Sequence, residues 1–323
     1  MERSTRHWTL AVLATCALAS ASLAVAADRE VQRQVAFGGS CAKCELSGRN
    51  LSGARIVGAD FSGAILVGAN LRDAKFLASD FSGANLTRAD LSDADMTGGT
   101  FTGANLSNAR LHDTEAKGVA FGGATLTRAD LSDAEASGAV FRKAIMISVN
   151  LQSAKVRGGA FDLADLTGAA MNDVKAQGAN FTRARLVGAS LRAADLKGAV
   201  FLHVEAPGAS FRDAGLEGAN LSWAVFSQAS FRSANLKGAI LSGSRFEGAD
   251  FRDAHLQRAN LIGADLSSVR GLTQGQVDDA CSGPGTKLPR GLIGKPCNSL
   301  RMINRKDAPR PALQLVPAVP AAR

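Results

Sequence analysis

Residues 61–80 read FSGAI LVGAN LRDAK FLASD, and a large apolar residue opens each group of five. This period of five continues in one register from Leu46 to Leu266, a span of 220 residues that holds 45 repeats without an insertion. An α-helix repeats every ~3.6 residues and a flat strand every ~2, so neither places every fifth side chain on one face. The period therefore predicts a chain that turns one corner per five residues.

The residue two positions before each of these apolar residues is almost always small. Alanine is the usual choice, as at Ala64, Ala69 and Ala74, so each repeat offers the interior one large and one small side chain. The exceptions are Cys44, Arg49, Ser79, Gly99, Thr114, Gly159, Ser244 and four valines.

Asp or Asn often stands directly before the apolar residue, as in Ala-Asn-Leu-Arg-Asp at 69–73 and Ala-Asp-Leu-Thr-Gly at 164–168. This pattern resembles that of the pentapeptide-repeat family, and the resemblance covers about two thirds of the chain. A single such pentapeptide has no significance, whereas 45 in phase are very specific. The stretch Thr-Lys-Leu-Pro-Arg-Gly-Leu at 286–292 resembles the ends of exported proteobacterial members of that family.

Phenylalanine recurs at every twentieth residue through much of the repeat. The members of this core Phe column are Phe61, Phe81, Phe101, Phe121, Phe141, Phe161, Phe181 and Phe201. Four corners therefore complete one coil, and residues 20 apart stack at roughly 4.8 Å. We predict an all-β fold, a four-sided (quadrilateral) β-helix solenoid of about eleven coils with a short helical and disulfide-bonded C-terminal cap.

The aromatic column changes sides after Phe201. The later phenylalanines are Phe211, Phe231 and Phe251 two sides round, with Phe226 and Phe246 on the side between. Phe201 and Phe211 then share one coil, and we expect Ala206 between them to leave room for both rings, as close packing requires.

The first 27 residues have the organisation of a secretory signal. Arg3 and Arg6 precede a short apolar run, and small residues at 25–27 offer a cleavage site. The run is shorter than a membrane-spanning helix and is rich in Ser and Ala, so we do not predict a membrane span. An uncleaved membrane anchor and lipidation at Cys16 are the two alternatives. We predict a signal peptide at 1–27, an N-terminal cap with Cys-x-x-Cys at 28–45, the repeat at 46–266, a C-terminal cap at 267–297 and a disordered basic Pro-rich tail at 298–323. The mature protein is expected to be periplasmic or secreted.

The formal charge of +8 is concentrated outside the repeat. Residues 46–266 hold 23 basic and 22 acidic side chains, whereas the tail from 298 to 323 carries a net charge of +4. A nucleic-acid binder would carry a basic stripe interleaved with stacking aromatics. The nearly neutral rod therefore argues against nucleic acid as a partner.

Four cysteines flank the repeat: Cys41, Cys44, Cys281 and Cys297. An even number in an oxidising compartment favours disulfides, and we expect the last two to close a Pro-containing loop and the first two to fix the first coil. The Cys-x-x-Cys motif could also be a redox pair or half of a zinc site. Haem attachment is excluded, because it needs His directly after the second cysteine and Glu45 occupies that position.

The ends of a solenoid need caps, because an exposed terminal coil has unpaired backbone groups and an apolar face. We expect residues 28–40 to cover the first coil. At the other end, Thr273 and Gln276 form a capping box, which predicts about two turns of helix over 274–280.

The search for chemistry finds few candidates. The mature chain has only His112, His203 and His255, which the four-sided arrangement places in different columns and distant coils. We expect no Ser, Cys or carboxylate to pair with them as nucleophile and base. One column of acids could in principle bind calcium: Asp73, Asp93, Asp113, Asp133, Asp173, Asp213 and Asp253. Neighbouring arginines partly neutralise it, so the sequence predicts no catalytic, cofactor-binding or metal-binding residues and no cofactor.

A second column is a candidate docking patch made of Arg192, Arg212, Arg232 and Arg252. Four guanidinium groups at a spacing of about 4.8 Å repel one another unless something relieves them. Both a solvated face and a patch for an anionic surface or acidic protein are open.

These observations favour a non-enzymatic exported scaffold or protein-interaction module of the cell envelope, with another protein or an anionic envelope component as partner. The family resemblance implies an alternative, because some members are acidic rods that imitate DNA and protect or inhibit gyrase. The neutral rod, the basic tail and the export signal disfavour it. An enzyme would need a site outside the repeat, where residues 267–297 offer little beyond Asp278 and Asp279.

Overall fold

The computed structural model describes residues 35–37 and 39–297. The predicted signal peptide at 1–27 and the predicted tail at 298–323 lie outside the described residues, as does most of the segment expected to cover the first coil.

Regular elements are few and short. Strand β1, Val35–Phe37, pairs in parallel with strand β2, Arg55–Val57, and one helix, α1, spans Gln274–Asp279. Elsewhere the repeat is held by single parallel bridges between residues 20 apart, unbroken at every fifth residue from Ser40↔Asp60 to Asp250↔Arg270. The predicted β-helix solenoid of pentapeptide repeats is confirmed. Its strands are short because only three residues, with the bridge residue in the middle, separate successive turns.

Each repeat makes the same turn. The N–H of the small residue donates to the carbonyl three residues earlier, as from Ala64 to Phe61 at 3.0 Å. The exceptions are Ala59 and Ala224, whose N–H groups donate to the Ser79 and Ser244 hydroxyls of the next coil. The residue directly before the small one, such as Gly63 before Ala64, has a positive φ in every repeat from 43 to 263. The residue before that, such as Ser62, has a negative φ. This is the geometry of a type II turn, which favours glycine at the position with positive φ. Even Leu163 and Trp223 adopt it, so the surrounding ladder imposes the turn where glycine is missing.

The backbone N–H groups of a repeat are fully used, as residues 60–64 illustrate. Phe61 and Gly63 donate to the next coil at 2.6 and 2.8 Å, Asp60 donates to the previous coil at 2.9 Å, and Ala64 closes the turn. The remaining N–H, of Ser62, donates to the Asp60 carboxylate at 2.9 Å. This accounting explains why Asp or Asn precedes the apolar residue, since its side chain accepts the one N–H that no coil receives.

The interior is lined by the large and small residues of the pattern. The rings of the core Phe column lie face to face with neighbouring centroids 4.7 to 5.0 Å apart, except that Phe101 and Phe121 are tilted by 31° at 5.3 Å. At the change of side, Phe201 and Phe211 meet edge to face at 5.8 Å, with Ala206 fully buried in the same coil. Phe76, which lies outside these columns, packs edge-on against Phe61 and Phe81.

Hydroxyl groups that replace alanine in the interior are satisfied locally. Ser244 is fully buried, accepts the N–H of Ala224 at 3.1 Å and donates to the carbonyl of Leu221 at 2.5 Å. Thr114 donates to the carbonyl of Leu111 at 2.8 Å. A buried hydroxyl is tolerated because it takes up hydrogen bonds of the turn itself.

The C-terminal cap closes the last complete coil. Thr273 is the N-cap of α1 and forms a capping box with Gln276, whose amide also donates to the carbonyls of Phe251 and Ala254 at 2.9 Å each. Carbonyls of the last coil that no further coil could reach are thereby satisfied. The bridges Asn260↔Cys281 and Asp265↔Lys287 continue two sides of the solenoid into this cap.

We expect Ala206→Leu to lower the free energy of unfolding by about 1 to 3 kcal/mol, because the coil already holds two phenylalanine rings and cannot accommodate three more carbon atoms. Thermal and urea denaturation would measure the change. Ala170→Leu is the matched control, since Ala170 lies at the outward bridge position of its repeat, the position that Val140 and Ile240 occupy in repeats on another side. Equal effects of the two substitutions would show that residue 206 is not in a crowded coil.

The structure joins Cys281 to Cys297 and Cys41 to Cys44. Replacing Cys281 and Cys297 by Ala should cost about 3 kcal/mol in the cap, because the bridge restricts the unfolded segment. Solenoid stability is additive along the axis, so the loss should stay local. Hydrogen exchange should rise across 259–297 and stay unchanged across 121–201. An increase spread evenly along the chain would contradict this expectation.

Candidate functional site

The outward face of each corner consists of the two turn residues that precede the small interior residue. Stacked at 20-residue intervals, these residues form columns parallel to the axis. One corner carries Arg, His and Ser in its first column and mostly Asp in its second, so it concentrates the ionisable side chains that the sequence analysis singled out.

The four arginines of the candidate docking patch differ in their partners. Arg212 lies 3.3 Å from the Asp213 carboxylate, and Arg232 lies 3.8 Å from that of Asp253. Arg252 folds back onto Asp250, its Nε donating at 2.9 and 3.0 Å and its Nη2 at 2.5 Å. These hydrogen bonds hold the pKa of Asp250 below its ordinary value. Aspartate therefore relieves the repulsion expected along most of this column.

Arg192 is the exception. Its guanidinium has no carboxylate within ion-pair distance among residues 39–297, and only its backbone N–H is engaged, by the Asn172 side chain at 3.2 Å. Ala193 interrupts the acidic column beside it and leaves an open notch of about 230 Å³. The notch is lined by Gln152, Asn172, Asp173, Arg192, Ala193 and Asp213. Both signs of charge face it, so this surface is polar rather than uniformly basic.

His112 contacts a serine and two carboxylates, one in its own coil and the others in the next coil. Its Nε2 lies 3.0 Å from the Asp113 carboxylate, and its Nδ1 lies 3.0 Å from the Ser132 hydroxyl and 3.7 Å from the Asp133 carboxylate. We call these four residues the His112 corner. Ser132 and Asp133 come from the next coil, 20 and 21 residues after His112. Reading the two neighbouring columns together would have found them.

The His112 corner does not form a nucleophile and base. The Ser132 hydroxyl donates to Asp130 at 2.7 Å, so its proton points away from the imidazole. A serine activated for attack would donate that proton to the histidine instead. His203 and His255 are exposed, and no ion pair or side-chain hydrogen bond to either occurs in the part of the chain that the structure describes.

The resolved shifts in carboxyl pKa are all downward. The pKa of Asp60 is lowered mainly by the Ser62 side chain, and that of Asp265 mainly by the Ser267 side chain and by Lys287. A lowered pKa keeps the carboxylate ionised, which suits an acceptor of turn hydrogen bonds. A general acid needs the opposite shift.

Both cysteine pairs are disulfides that pack at the ends of the core. Cys41 and Cys281 are buried, and Cys44 lies partly buried against the core cluster. Cysteine binds zinc as a thiolate, so the oxidised Cys-x-x-Cys pair does not provide half of a zinc site. Among residues 39–297, no helix has the length and hydropathy required to cross a bilayer.

Three solved structures are similar to this chain. HetL, a pentapeptide repeat protein involved in heterocyst differentiation regulation from Nostoc sp. strain PCC 7120, is 29% identical over 71% of this chain and 91% of HetL, with a TM-score of 0.47. A pentapeptide repeat protein from the Arabidopsis thaliana thylakoid lumen is 33% identical over 31% and 69%, with a TM-score of 0.30. QnrB1, a plasmid-mediated fluoroquinolone resistance protein, is 23% identical over 63% and 87%, with a TM-score of 0.26.

No curated protein matches the sequence. The family model described as Pentapeptide repeats matches it in eight copies. The matched ranges are 44–80, 64–103, 78–113, 124–161, 164–201, 189–228 and 229–267. These ranges cover more than half of the chain and coincide with the repeated turn and the coil-to-coil bridges, so the protein belongs to the pentapeptide-repeat family.

Proposed function

We propose that the protein is an exported, non-enzymatic scaffold of the cell envelope, a four-sided rod of about eleven coils that presents its sides to a partner. The partner is another protein or an anionic envelope component, and the mature chain is periplasmic or secreted. The observation that carries this proposal is the unbroken ladder of bridges between residues 40 and 270, which holds every outward side chain at a fixed position.

A rigid ladder suits binding because little conformational entropy is lost when a partner docks on it. Most backbone N–H groups of each repeat are already hydrogen-bonded, and the interior is filled by close-packed apolar side chains. Side chains on such a surface are pre-organised, which lowers the cost of association. Pentapeptide-repeat proteins are in general structural or interaction modules.

The charge of the surface favours a protein partner with mixed charges. Residues 46–266 carry 23 basic and 22 acidic side chains, and ten ion pairs between Lys or Arg and Asp or Glu join many of them. Imitation of DNA would need a strongly acidic surface, so the gyrase-directed alternative is not favoured. The disulfides at both ends agree with an oxidising compartment, which supports the proposed export.

The partner should bind one side of the rod. A photo-crosslinking amino acid placed singly at Ser148, Leu163, Ala193 or Arg258 samples one corner each, because all four are exposed non-glycine residues at the turn position. We expect a discrete adduct from one or two adjacent corners in envelope fractions. Adducts from every corner alike, or from none, would contradict a specific docking side.

The Arg column gives a second test of the partner. The test variant replaces all four arginines of the candidate docking patch by Gln: Arg192, Arg212, Arg232 and Arg252. It should elute from immobilised anionic envelope polymer at a lower salt concentration than the parent protein, because it loses clustered positive charge. The matched control replaces Lys155, Lys175, Lys197 and Lys237 by Gln and removes the same formal charge from other columns. An equal decrease for both variants would remove the patch hypothesis and leave a protein as the proposed partner.

A further inference from the structure

The hydrogen bonds of Ser132 determine the tautomer of His112. The Ser132 hydroxyl donates to Asp130 at 2.7 Å, so it faces His112 Nδ1, 3.0 Å away, as an acceptor. The carbonyl oxygen of Ser132, 3.2 Å from the same nitrogen, can only accept. Two acceptors facing Nδ1 place the imidazole proton there.

Neutral His112 then has a lone pair on Nε2, and this lone pair faces a carboxylate. The Nε2 atom lies 3.0 Å from Asp113 Oδ2, an atom that can also only accept. Two acceptors at this separation repel each other unless a cation lies between them. The contact therefore calls for either a second proton on the imidazole or a bound metal ion.

The two carboxylates of the His112 corner also lack the arginine partners found elsewhere in their column. Asp93 pairs with Arg72 at 2.7 Å, and Asp213 and Asp253 pair with arginines as described above. No Lys or Arg of residues 39–297 lies within ion-pair distance of Asp113 or Asp133, whose only ion-pair neighbour is His112. Two negative charges therefore meet at one imidazole without a basic side chain to balance them.

We propose that the His112 corner binds a divalent transition-metal ion, and specifically Zn²⁺, through His112 Nε2 and the carboxylates of Asp113 and Asp133. One ligand atom from each residue, an imidazole nitrogen and two carboxylate oxygens, lies within 4.8 Å of the others. The Asp133 carboxylate lies 3.7 Å from Nδ1, so its side chain has to turn toward Nε2 to reach the same ion. Bonds of about 2.1 Å at the tetrahedral angle separate two ligand atoms by about 3.4 Å, so Nε2 and the Asp113 carboxylate, 3.0 Å apart, need only a small shift to hold the ion. One imidazole with two carboxylates is a donor set that Zn²⁺ accepts, and water completes the coordination.

The surroundings of the corner suit such a site. The bond from Nδ1–H to the Ser132 carbonyl is the support that metal-bound histidines commonly have, because it fixes the ring and directs the other nitrogen outward. The backbone is held by the ladder, with Asp93 N–H donating to the His112 carbonyl at 3.0 Å and Asp113 N–H to the Ser132 carbonyl at 3.1 Å. The side chains of His112, Asp113 and Asp133 are 45%, 52% and 50% exposed, so an ion reaches them directly.

Calorimetric titration of ZnCl₂ into the metal-stripped full chain, prepared without a histidine tag, tests the site at neutral pH. We expect one binding event whose affinity falls at least about tenfold in His112→Ala and in Asp133→Asn, since each change removes a ligand. The matched control is His203→Ala, an exposed histidine at a turn without a carboxylate cluster. It should bind Zn²⁺ like the parent protein.

Nitrogen-15 NMR of the histidine rings distinguishes metal binding at His112 Nε2 from protonation of that nitrogen. Addition of Zn²⁺ to the metal-free protein should shift the Nε2 resonance of His112 alone. A doubly protonated His112 at neutral pH that ignores Zn²⁺ would overturn the proposal, as would zinc binding that survives His112→Ala. Circular dichroism melts of each variant would establish that the fold is intact.

Discussion

The structure depends on backbone hydrogen bonds between residues 20 apart. Each repeat donates N–H groups to both the next and the previous coil, and together these bonds continue from one end of the repeat to the other. Because buried backbone groups must be paired, a single insertion would shift every later donor away from its acceptor. This constraint accounts for the unbroken register from 46 to 266 and for turn geometry at positions where glycine is absent.

The same constraint organises the interior. Residues of one column lie directly above one another, so a ring stacks on a ring, as from Phe121 to Phe201. The cross-section of a coil is limited by its turns, and a large residue on one side requires a small one on another. The change of column at Phe201 and Phe211 satisfies this requirement because Ala206 lies in the same coil.

The ladder also determines which charged side chains lie close together on the surface. A column places like side chains at close spacing, and the chain relieves most of their repulsion by pairing them with a neighbour one or two residues away in sequence or in the next coil. Arg72 with Asp93 and Arg232 with Asp253 show this relief across coils. His112 stands where an arginine could have stood, and two aspartates meet it there. A regular scaffold thus produces local sites wherever one column changes residue type.

The sequence by itself determined the period, the repeated turn, the content of the core and the places of the cysteines, because each of these depends on a spacing that can be counted along the chain. It also showed that Asp or Asn often precedes the apolar residue. Only the tertiary structure showed why: the side chain of this Asp or Asn accepts a hydrogen bond from the N–H two residues later, which would otherwise be unpaired. Pairing at the surface, as between His112 and Asp133 or between Arg252 and Asp250, was decided by the tertiary structure alone. A side chain there has several neighbours within reach in its own and adjacent coils, and its rotamer selects among them through interactions that no spacing in the sequence records.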